Sequence, residues 1–288
     1  LNYNSIDREV FRMKRKIVAD SSCDIWELNG VDFAVAPITI STDNKHYVDN
    51  QELDVHLMSE ELAKYKGVSH TACPSVGSWL DCYEGFDEIF VITLTGAMSG
   101  TYNSAMTAKG IYEEENDNVK VHVFDSLSTG PEMRLLIEKL KEMIEEDLTF
   151  EEIVEKGQDY LNHTRLFFAL KSLHNFAMNG RINKAVASAI GVLNISIFAT
   201  ASEKGTIQQI SKCRGEKKVV KSMIEHLENA GYHGGKVRIS HADNLKLAHN
   251  VRDKILELYP HADIIVYPMG GLCTYYAEIG GLLVGCEC

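Results

Sequence analysis

Short apolar runs alternate with amphipathic helical stretches along the whole chain, and this alternation constrains the fold more than any other feature. In the first half, the runs at 16–20, 33–40, 88–95 and 119–125 predict strands, and the stretches at 53–66, 76–85, 102–115 and 131–146 predict helices. Strands that alternate with helices are typical of an α/β fold whose sheet is mainly parallel. We therefore expect an α/β protein.

The second half continues the pattern after a new helix start. Thr149 and Glu152 form a capping-box pattern that opens a helix over 150–162. Beyond it, a second sheet is predicted from strands at 165–171, 195–200, 205–213, 236–240, 264–267 and 282–286, with helices at 217–230 and 245–258.

We place a domain boundary near His163, which gives a first α/β domain over 15–163 and a second over 164–288. Residues 1–14 are expected to form an N-terminal extension, because Met13 and the basic residues after it lead directly into the first strand. No linker-like segment separates the halves. The domains are therefore expected to pack closely and to hold a ligand in the cleft between them.

Composition excludes several classes of function. A net charge of −12 over 288 residues disfavours nucleic acid as a partner. The longest apolar runs, such as 33–38, are too short to span a bilayer, and no basic-plus-apolar leader opens the chain. Seven scattered cysteines favour a reducing cytoplasm. Cys286 and Cys288 have no second pair nearby in sequence, so we expect thiols and no metal site.

The segment "LTGAMSGTYNSA", residues 94–105, follows the apolar run at 88–95 and leads into a predicted helix. A strand that turns through small residues into a helix presents free N–H groups and the positive end of the helix dipole. Such a turn attracts a phosphate or a carboxylate. Two interpretations are open for Ser99: it caps the helix, or, with Gly100, it contacts an anionic ligand.

Further polar clusters follow first-half strands, at 20–24 and 125–126. Ligands of open α/β sheets bind at the carboxyl ends of strands, so these clusters and the 95–101 turn predict a polar rim, although each cluster alone also fits a turn. The segment "TACPS", 71–75, precedes a helix and directs Thr71 toward the same edge.

Catalytic interpretations remain open beside binding ones. Cys73 at a helix start is a candidate nucleophile, but no base can be assigned to it. The pattern around Ser99 reads GxxSG rather than the GxSxG of a nucleophile elbow, so Ser99 fits a hydrogen-bond donor better. His241 and Asp243 fit either an acid–base pair or a structural turn. The alternatives are thus a hydrolase or transferase using Ser99 or Cys73, and a sugar or phosphate binder.

Taken together and in order, six segments resemble the DegV family over residues 15 to the end. They are "DSSCDI" (20–25), "TACPS" (71–75), "SGTYNSA" (99–105), "NGRI" (179–182), "SHADN" (240–244) and "GGLCTYYAEIGGLLVG" (270–285). The resemblance implies two α/β domains with a long-chain fatty acid between them and no cofactor.

In the DegV pattern the fatty acid carboxylate is hydrogen-bonded at the serine-glycine turn and by the threonine of the "TACPS"-like segment. These positions are Ser99, Gly100 and Thr71 here. The resemblance also implies a carrier that is not itself an enzyme and that presents the lipid to a separate fatty acid kinase. Arg181, the arginine of the GRI segment, would then dock that partner.

One stretch departs from the pattern. Many members carry a "THxGPG"-like stretch whose histidine lies near the carboxylate, whereas Tyr276 stands at that point here, and Glu278 and Ile279 replace Gly-Pro. A tyrosine hydroxyl can donate to a carboxylate, so Tyr276 is predicted to bind the ligand. Glu278 would repel an acyl anion if it pointed inward. The apolar segment 185–198 is a candidate lining for the acyl chain, and it fits ordinary core equally well.

Overall fold

Three β-sheets organise the residues that this computed structural model describes, 13–182 and 194–288. The strands are β1 (Arg15–Asp20), β2 (Asp32–Ala36), β3 (Thr39–Ser41), β4 (His46–Val48), β5 (His70–Ala72), β6 (Glu88–Thr93), β7 (Lys120–Asp125), β8 (Thr164–Leu170), β9 (Ile195–Ala201), β10 (Ile207–Arg214), β11 (Lys236–His241), β12 (Asp263–Pro268) and β13 (Leu282–Glu287). The helices are α1 (Val55–Lys64), α2 (Val76–Tyr83), α3 (Thr101–Glu115), α4 (Pro131–Glu145), α5 (Phe150–Asn162), α6 (His174–Met178), α7 (Glu216–Asn229), α8 (Leu245–Leu258) and α9 (Gly271–Ala277).

The first sheet has the order β2-β1-β6-β7, and every pairing in it is parallel. Successive side chains of β6 lie on opposite faces of the sheet. Phe90 packs toward α4 and α5, whereas Val91 packs toward α2 and α3. Because both faces are covered, β6 is buried throughout, as expected for a central parallel strand. The predicted α/β class with a mainly parallel first sheet is confirmed.

The second sheet is mixed, with the order β10-β9-β8-β13-β11-β12. The pairing of β11 with β12 is parallel, and the remaining pairings are antiparallel. Helices α7 and α8 cover one face, where Val237 and Ile239 of β11 meet Val251 of α8. The opposite face carries Leu166, Phe168 and Leu283 and turns toward the first sheet.

Helix α4 lies between the two large sheets. Its Met133 and Leu140 belong to the core of the first sheet. On the other side, Arg238 of β11 pairs with Glu138 of α4 at 2.6 Å, and a side chain at Gly285 of β13 would come within 2.8 Å of the α4 backbone. The sheets fall on either side of His163, and we propose the domain limits 15–163 and 164–288 on that ground.

The predicted single strand over 33–40 is wrong. The structure divides it into β2, which joins the parallel sheet, and β3, which joins a small antiparallel sheet of order β4-β3-β5. Pro37 lies at the division, and proline has no N–H to donate to a ladder, so the chain leaves one sheet there and enters another. The small sheet also carries Thr71, a predicted ligand residue, on β5.

The start of the described chain is anchored to the first sheet. The Lys14 N–H donates to Asp87 Oδ2 at 2.8 Å, and the Lys14 carbonyl accepts from the N–H groups of Asp87 and Glu88. Residues 1–12 of the predicted extension lie outside the described residues. Within the described ranges, no helix is both long and apolar enough to cross a membrane.

Candidate ligand-binding site

A cavity of about 330 Å³ lies between the first sheet and the inner face of the second. Its walls are mainly apolar side chains, with a smaller set of hydroxyl and backbone groups among them. The first half contributes residues that directly follow β2, β6 and β7, which is the carboxyl edge where open α/β sheets bind ligands. The apolar lining comprises Ile38, Leu94, Met98, Leu127, Leu166, Phe168, Leu170, Phe176, Ile207, Leu272 and Leu283.

The turn at Ser99 and Gly100 opens helix α3 beside this cavity, and both residues line it. Gly100 is the N-cap residue and has no side chain to serve the helix. Ser99 Oγ accepts from the Thr101 N–H at 3.3 Å and pairs with the Thr101 hydroxyl at 2.8 Å. The interpretation of Ser99 as the helix N-cap is therefore wrong, because Gly100 holds that position, whereas the Ser99 hydroxyl contacts Thr101 and borders the cavity.

Thr71 and Tyr276 reach the cavity from opposite halves of the chain. Thr71 Oγ1 on β5 and the Tyr276 hydroxyl on α9 are hydrogen-bonded at 2.9 Å. Burial raises the pKa of Tyr276, so its hydroxyl keeps its proton at neutral pH and can donate. The structure thus brings together a threonine and a tyrosine that are 205 positions apart in sequence.

The Ser99–Gly100 turn and the Thr71–Tyr276 pair lie close to each other at the cavity. A side-chain carbon at Gly100 would lie 3.4 Å from Cys73 Sγ, and Ser104 of α3 donates to the Pro74 carbonyl at 2.7 Å. The segment that carries Thr71 is therefore fastened to the start of α3. All four predicted ligand residues, Thr71, Ser99, Gly100 and Tyr276, line one cavity.

Two aspartates of the predicted polar rim brace the turn instead of lining the cavity. Asp20 Oδ2 accepts from the Leu94 N–H at 2.6 Å, and Asp125 Oδ1 accepts from the Gly96 N–H at 3.0 Å. Complete burial of Asp20 raises its pKa to about 6. The clusters at 20–24 and 125–126 thus fix the backbone of the 94–96 segment, and the 95–101 cluster supplies the groups that face the cavity.

Two more aspartates connect the first half to α9, the short helix that bears Tyr276. Asp49 Oδ1 and Oδ2 accept from the N–H groups of Gly271 and Leu272 at 2.7 and 2.9 Å. Asp24 Oδ1 accepts from the Gly270 N–H at 2.9 Å. Burial raises the pKa of Asp49 to about 6 and raises that of Asp24 well above its usual range. These contacts set the position of Tyr276 from a distance.

The turn between β9 and β10 closes another side of the cavity. Gly205 adopts φ +71°, and a side-chain carbon there would lie 2.1 Å from Thr95 Oγ1. Only glycine combines this backbone conformation with so close an approach. The turn therefore rests directly on the first half. Ala201, Thr206 and Ile207 beside it contribute to the lining.

Arg181 also borders the cavity, in the exposed turn after α6. Its guanidinium donates to the Asn179 carbonyl at 2.7 Å, and its backbone N–H donates to the Phe176 carbonyl. The predicted acyl lining at 185–198 falls partly outside the described residues. In its described part, 194–198, no residue lines the cavity, and Phe198 belongs to the core under α7.

Glu278 points away from the cavity. Its Oε1 accepts from the Ser172 hydroxyl at 2.7 Å and from the Asn175 N–H at 3.4 Å, both at the start of α6. The repulsion of an acyl anion considered for this side chain therefore does not arise in this conformation.

The "SHADN" segment forms a structural turn. Asn244 Nδ2 donates to the Gly280 carbonyl at 2.8 Å, and the Asn244 N–H donates to His241 Nδ1 at 3.3 Å. The His241–Asp243 acid–base interpretation gains no support from these contacts.

Among the residues that the structure describes, no base lines the cavity beside the catalytic candidates Ser99 and Cys73. No histidine, aspartate or glutamate is among the described residues that line the cavity. An acyl-transfer serine or cysteine needs such a group within hydrogen-bond reach. Cys73 is exposed at the cavity edge, and the Ser99 hydroxyl is bonded to Thr101 instead of to a base. Nowhere in 13–182 or 194–288 do three metal-ligating side chains cluster in a way that could hold an ion.

Sequence patterns did not reveal most of the apolar walls or the role of Asp49, which binds the start of α9. Leu166, Phe168 and Leu170 are alternate residues of β8, so the sequence predicts that they share one face of the sheet. It does not indicate that this face lines a cavity. Nothing local marks Asp49, which follows the three-residue strand β4 and accepts from a backbone N–H 222 positions away.

Comparisons with known proteins identify the relatives of this chain. The model of an uncharacterised protein family, DegV family COG1307, matches residues 14–285. A DegV domain-containing protein of Streptococcus gordonii is 42% identical over 279 residues, which cover 96% of this chain and 99% of that protein.

Two solved structures superpose with TM-scores of 0.93. A DegV family protein from Eubacterium eligens loaded with heptadecanoic acid is 52% identical, over 95% of this chain and 99% of that one. The Streptococcus pneumoniae Fatty Acid Kinase B3 protein loaded with linoleic acid is 41% identical, over 96% and 99%. The family match and these relatives establish that the chain belongs to the DegV family.

Proposed function

We propose that this protein binds a long-chain fatty acid, with the carboxylate at Ser99, Gly100 and Thr71 and the acyl chain along the apolar walls. The observation that carries the proposal is a cavity with mainly apolar walls that the Ser99–Gly100 turn and the hydrogen-bonded Thr71–Tyr276 pair border. Two relatives above 40% identity, from Eubacterium eligens and Streptococcus pneumoniae, hold fatty acids.

The energetics favour such a ligand over a sugar or a phosphate. Each buried methylene contributes about 0.8 kcal/mol, so a long acyl chain supplies on the order of 10 kcal/mol before ordering costs. Walls such as Leu166, Phe168 and Leu283 offer that burial and few groups that could satisfy sugar hydroxyls. A carboxylate taken out of water must keep hydrogen-bond partners. The Ser99 and Thr71 hydroxyls and the Gly100 N–H supply them without a buried cation.

Tyr276 completes the head-group end in this proposal. Its hydroxyl already contacts Thr71 Oγ1, so the two protons can turn together toward one carboxylate oxygen. Tyr276 thus takes the place of the histidine in the DegV pattern, and it remains neutral where a histidine would titrate.

The protein then acts as a carrier rather than as an enzyme. The Streptococcus pneumoniae relative is named as a fatty acid kinase protein, which supports a separate kinase as the partner that phosphorylates the bound lipid. Arg181 is exposed beside the head-group end and is the residue proposed to meet that partner. A cytoplasmic location is supported by the seven cysteines, all of which are free thiols.

The test is the identity of the copurifying lipid. Mass spectrometry of an organic extract of the purified protein is expected to show long-chain fatty acid in a near-stoichiometric amount. Delipidated protein is then titrated with palmitate and, as a control for the anionic group alone, with inorganic phosphate. Absence of copurified fatty acid together with no palmitate binding would refute the function.

A further inference from the structure

We infer that Glu278 is a positioning residue for the fatty acid head group, acting through α6 and Tyr276; this rests on the proposed function. The first observation is the backbone of Glu278, which adopts φ 54° and ψ 166° at the end of α9. This region of backbone space is essentially restricted to glycine, and a residue with a Cβ persists there only when its surroundings enforce the conformation. Glutamate is thus a costly choice at this position.

Besides backbone hydrogen bonds to Thr274 and from Gly281, two hydrogen bonds to one side-chain oxygen hold Glu278 in this conformation. Glu278 Oε1 accepts from the Ser172 hydroxyl at 2.7 Å and from the Asn175 N–H at 3.4 Å. The Asn175 N–H belongs to the first turn of α6, where backbone donors have no partner within the helix. The strained residue therefore fastens α6 to the end of α9.

Asn175 makes the second link between the same two helices. Its Nδ2 donates to the Tyr275 carbonyl at 2.7 Å, while Asn179 Nδ2 donates to the Tyr275 hydroxyl at 2.9 Å. The Tyr275 hydroxyl in turn pairs with Ser69 Oγ at 2.7 Å. The polar contacts of α6 thus connect it to α9, which carries Tyr276, and to the segment at Ser69, which leads to Thr71.

Phe176 connects the position of α6 to the head-group end, because its ring packs on Tyr276. Its ring lies 4.6 Å from the Tyr276 ring, measured between centroids, and both residues line the cavity. The Tyr276 hydroxyl is held by Thr71 Oγ1 alone among the described residues, so its ring orientation depends on what packs against it. With α6 held by Glu278, Phe176 keeps the Tyr276 hydroxyl on Thr71. Without that link, the hydroxyl pair loses its fixed geometry.

The variant Glu278→Gly separates a positioning role from a merely structural one. Glycine relieves the backbone strain, so the thermal midpoint is expected to equal or exceed that of the wild type. The same change removes the acceptor for Ser172 and Asn175, so Kd for palmitate is expected to rise roughly 3- to 10-fold, within the range for residues that share a network. Glu278→Gln keeps an acceptor oxygen and is expected to restore the wild-type Kd.

Two further measurements test whether Glu278 acts on the carboxylate end through Tyr276. Hexadecanol, which has the same chain without a carboxylate, is expected to bind Glu278→Gly and the wild type equally well. In a Tyr276→Phe background, Glu278→Gly is expected to cause no additional loss of palmitate affinity. Asn118→Gly is the matched control, because Asn118 also has a positive φ of 64° but lies in an exposed turn after α3.

An unchanged palmitate Kd in Glu278→Gly overturns the inference, as does an equal loss for hexadecanol or an undiminished loss in the Tyr276→Phe background. A fall in thermal midpoint that accompanies the loss of affinity also overturns it, because the role would then be structural. Palmitate binding by the wild type is measured before any variant is compared. If the wild type itself does not bind palmitate, the proposed function is refuted.

Discussion

Removal of the Ser99 hydroxyl is expected to weaken fatty acid binding while leaving the fold intact. In the structure this hydroxyl pairs with the Thr101 hydroxyl at 2.8 Å and accepts from the Thr101 N–H at 3.3 Å. When a carboxylate binds, the Ser99 hydroxyl can donate to the ligand while it still accepts from the Thr101 N–H. Ser99→Ala therefore removes one donor to a charged acceptor.

A hydrogen bond to a charged group is worth about 1.5–3 kcal/mol. At 1.4 kcal/mol for each factor of ten, the Kd for palmitate should rise roughly 10- to 150-fold. The fold is affected much less, because the backbone group that Ser99→Ala deprives of an acceptor is the Thr101 N–H, whose hydrogen bond to Ser99 is long. We expect a stability cost of about 0.5–1 kcal/mol, as for a weak cap.

Isothermal titration of delipidated protein with palmitate measures the affinity, and urea unfolding measures the stability. Thr107→Ala is the matched control, since it removes a hydroxyl from the exposed side of the same helix, where Thr107 Oγ1 donates to the Asn103 carbonyl. A wild-type Kd in Ser99→Ala would refute the head-group assignment. A Kd raised equally in Thr107→Ala would show that the effect comes from the helix and not from the site.

Three other outcomes follow from the packing. Gly205→Ala should destabilise the fold by about 1–3 kcal/mol in urea unfolding, because its φ is +71° and its Cβ would overlap Thr95 Oγ1; wild-type stability would contradict the close approach. Glu138→Ala should cost up to about 3 kcal/mol, since it leaves the buried Arg238 with Asp263 as its remaining acidic partner; a cost below about 0.5 kcal/mol would refute that account. Burial raises the pKa of Asp49 from 3.8 to about 6, so the folded state binds its proton more tightly than the unfolded state, and this group's contribution to stability falls as pH rises from about 4 to about 6. The difference in stability between wild type and Asp49→Asn, followed by urea unfolding across that window, should change by on the order of 2–3 kcal/mol, and a pH-independent difference would contradict it.

Sequence patterns predicted the parallel first sheet and the approximate positions of most helices, because buried strands and amphipathic helices leave local periodic signals. They failed at Pro37, where one apolar run serves two sheets, and over 271–277, where a glycine-rich segment forms α9. That helix depends on carboxylates of Asp24 and Asp49 from the other half. Such long-range caps leave no local trace.

The candidate site shows the same division. The position of Thr71, Ser99 and Gly100 at the cavity was predictable, because each belongs to a short segment after a strand or before a helix, and their contact with a ligand stays a prediction. The pairing of Thr71 with Tyr276, and the outward direction of Glu278, depend on how α6 and α9 pack together. Those arrangements follow only from the assembled fold.

The strand order of the second sheet has a consequence for biosynthesis. Among the described strands β13 is the last in chain order, yet it lies between β8 and β11, and its Leu283 forms part of the cavity wall. During vectorial synthesis the first half can fold as soon as it emerges. The cavity has no complete wall until β13 has entered the sheet. Ligand binding in the cavity is therefore expected to follow the folding of both halves, because a nascent chain that has not yet released β13 has no finished cavity.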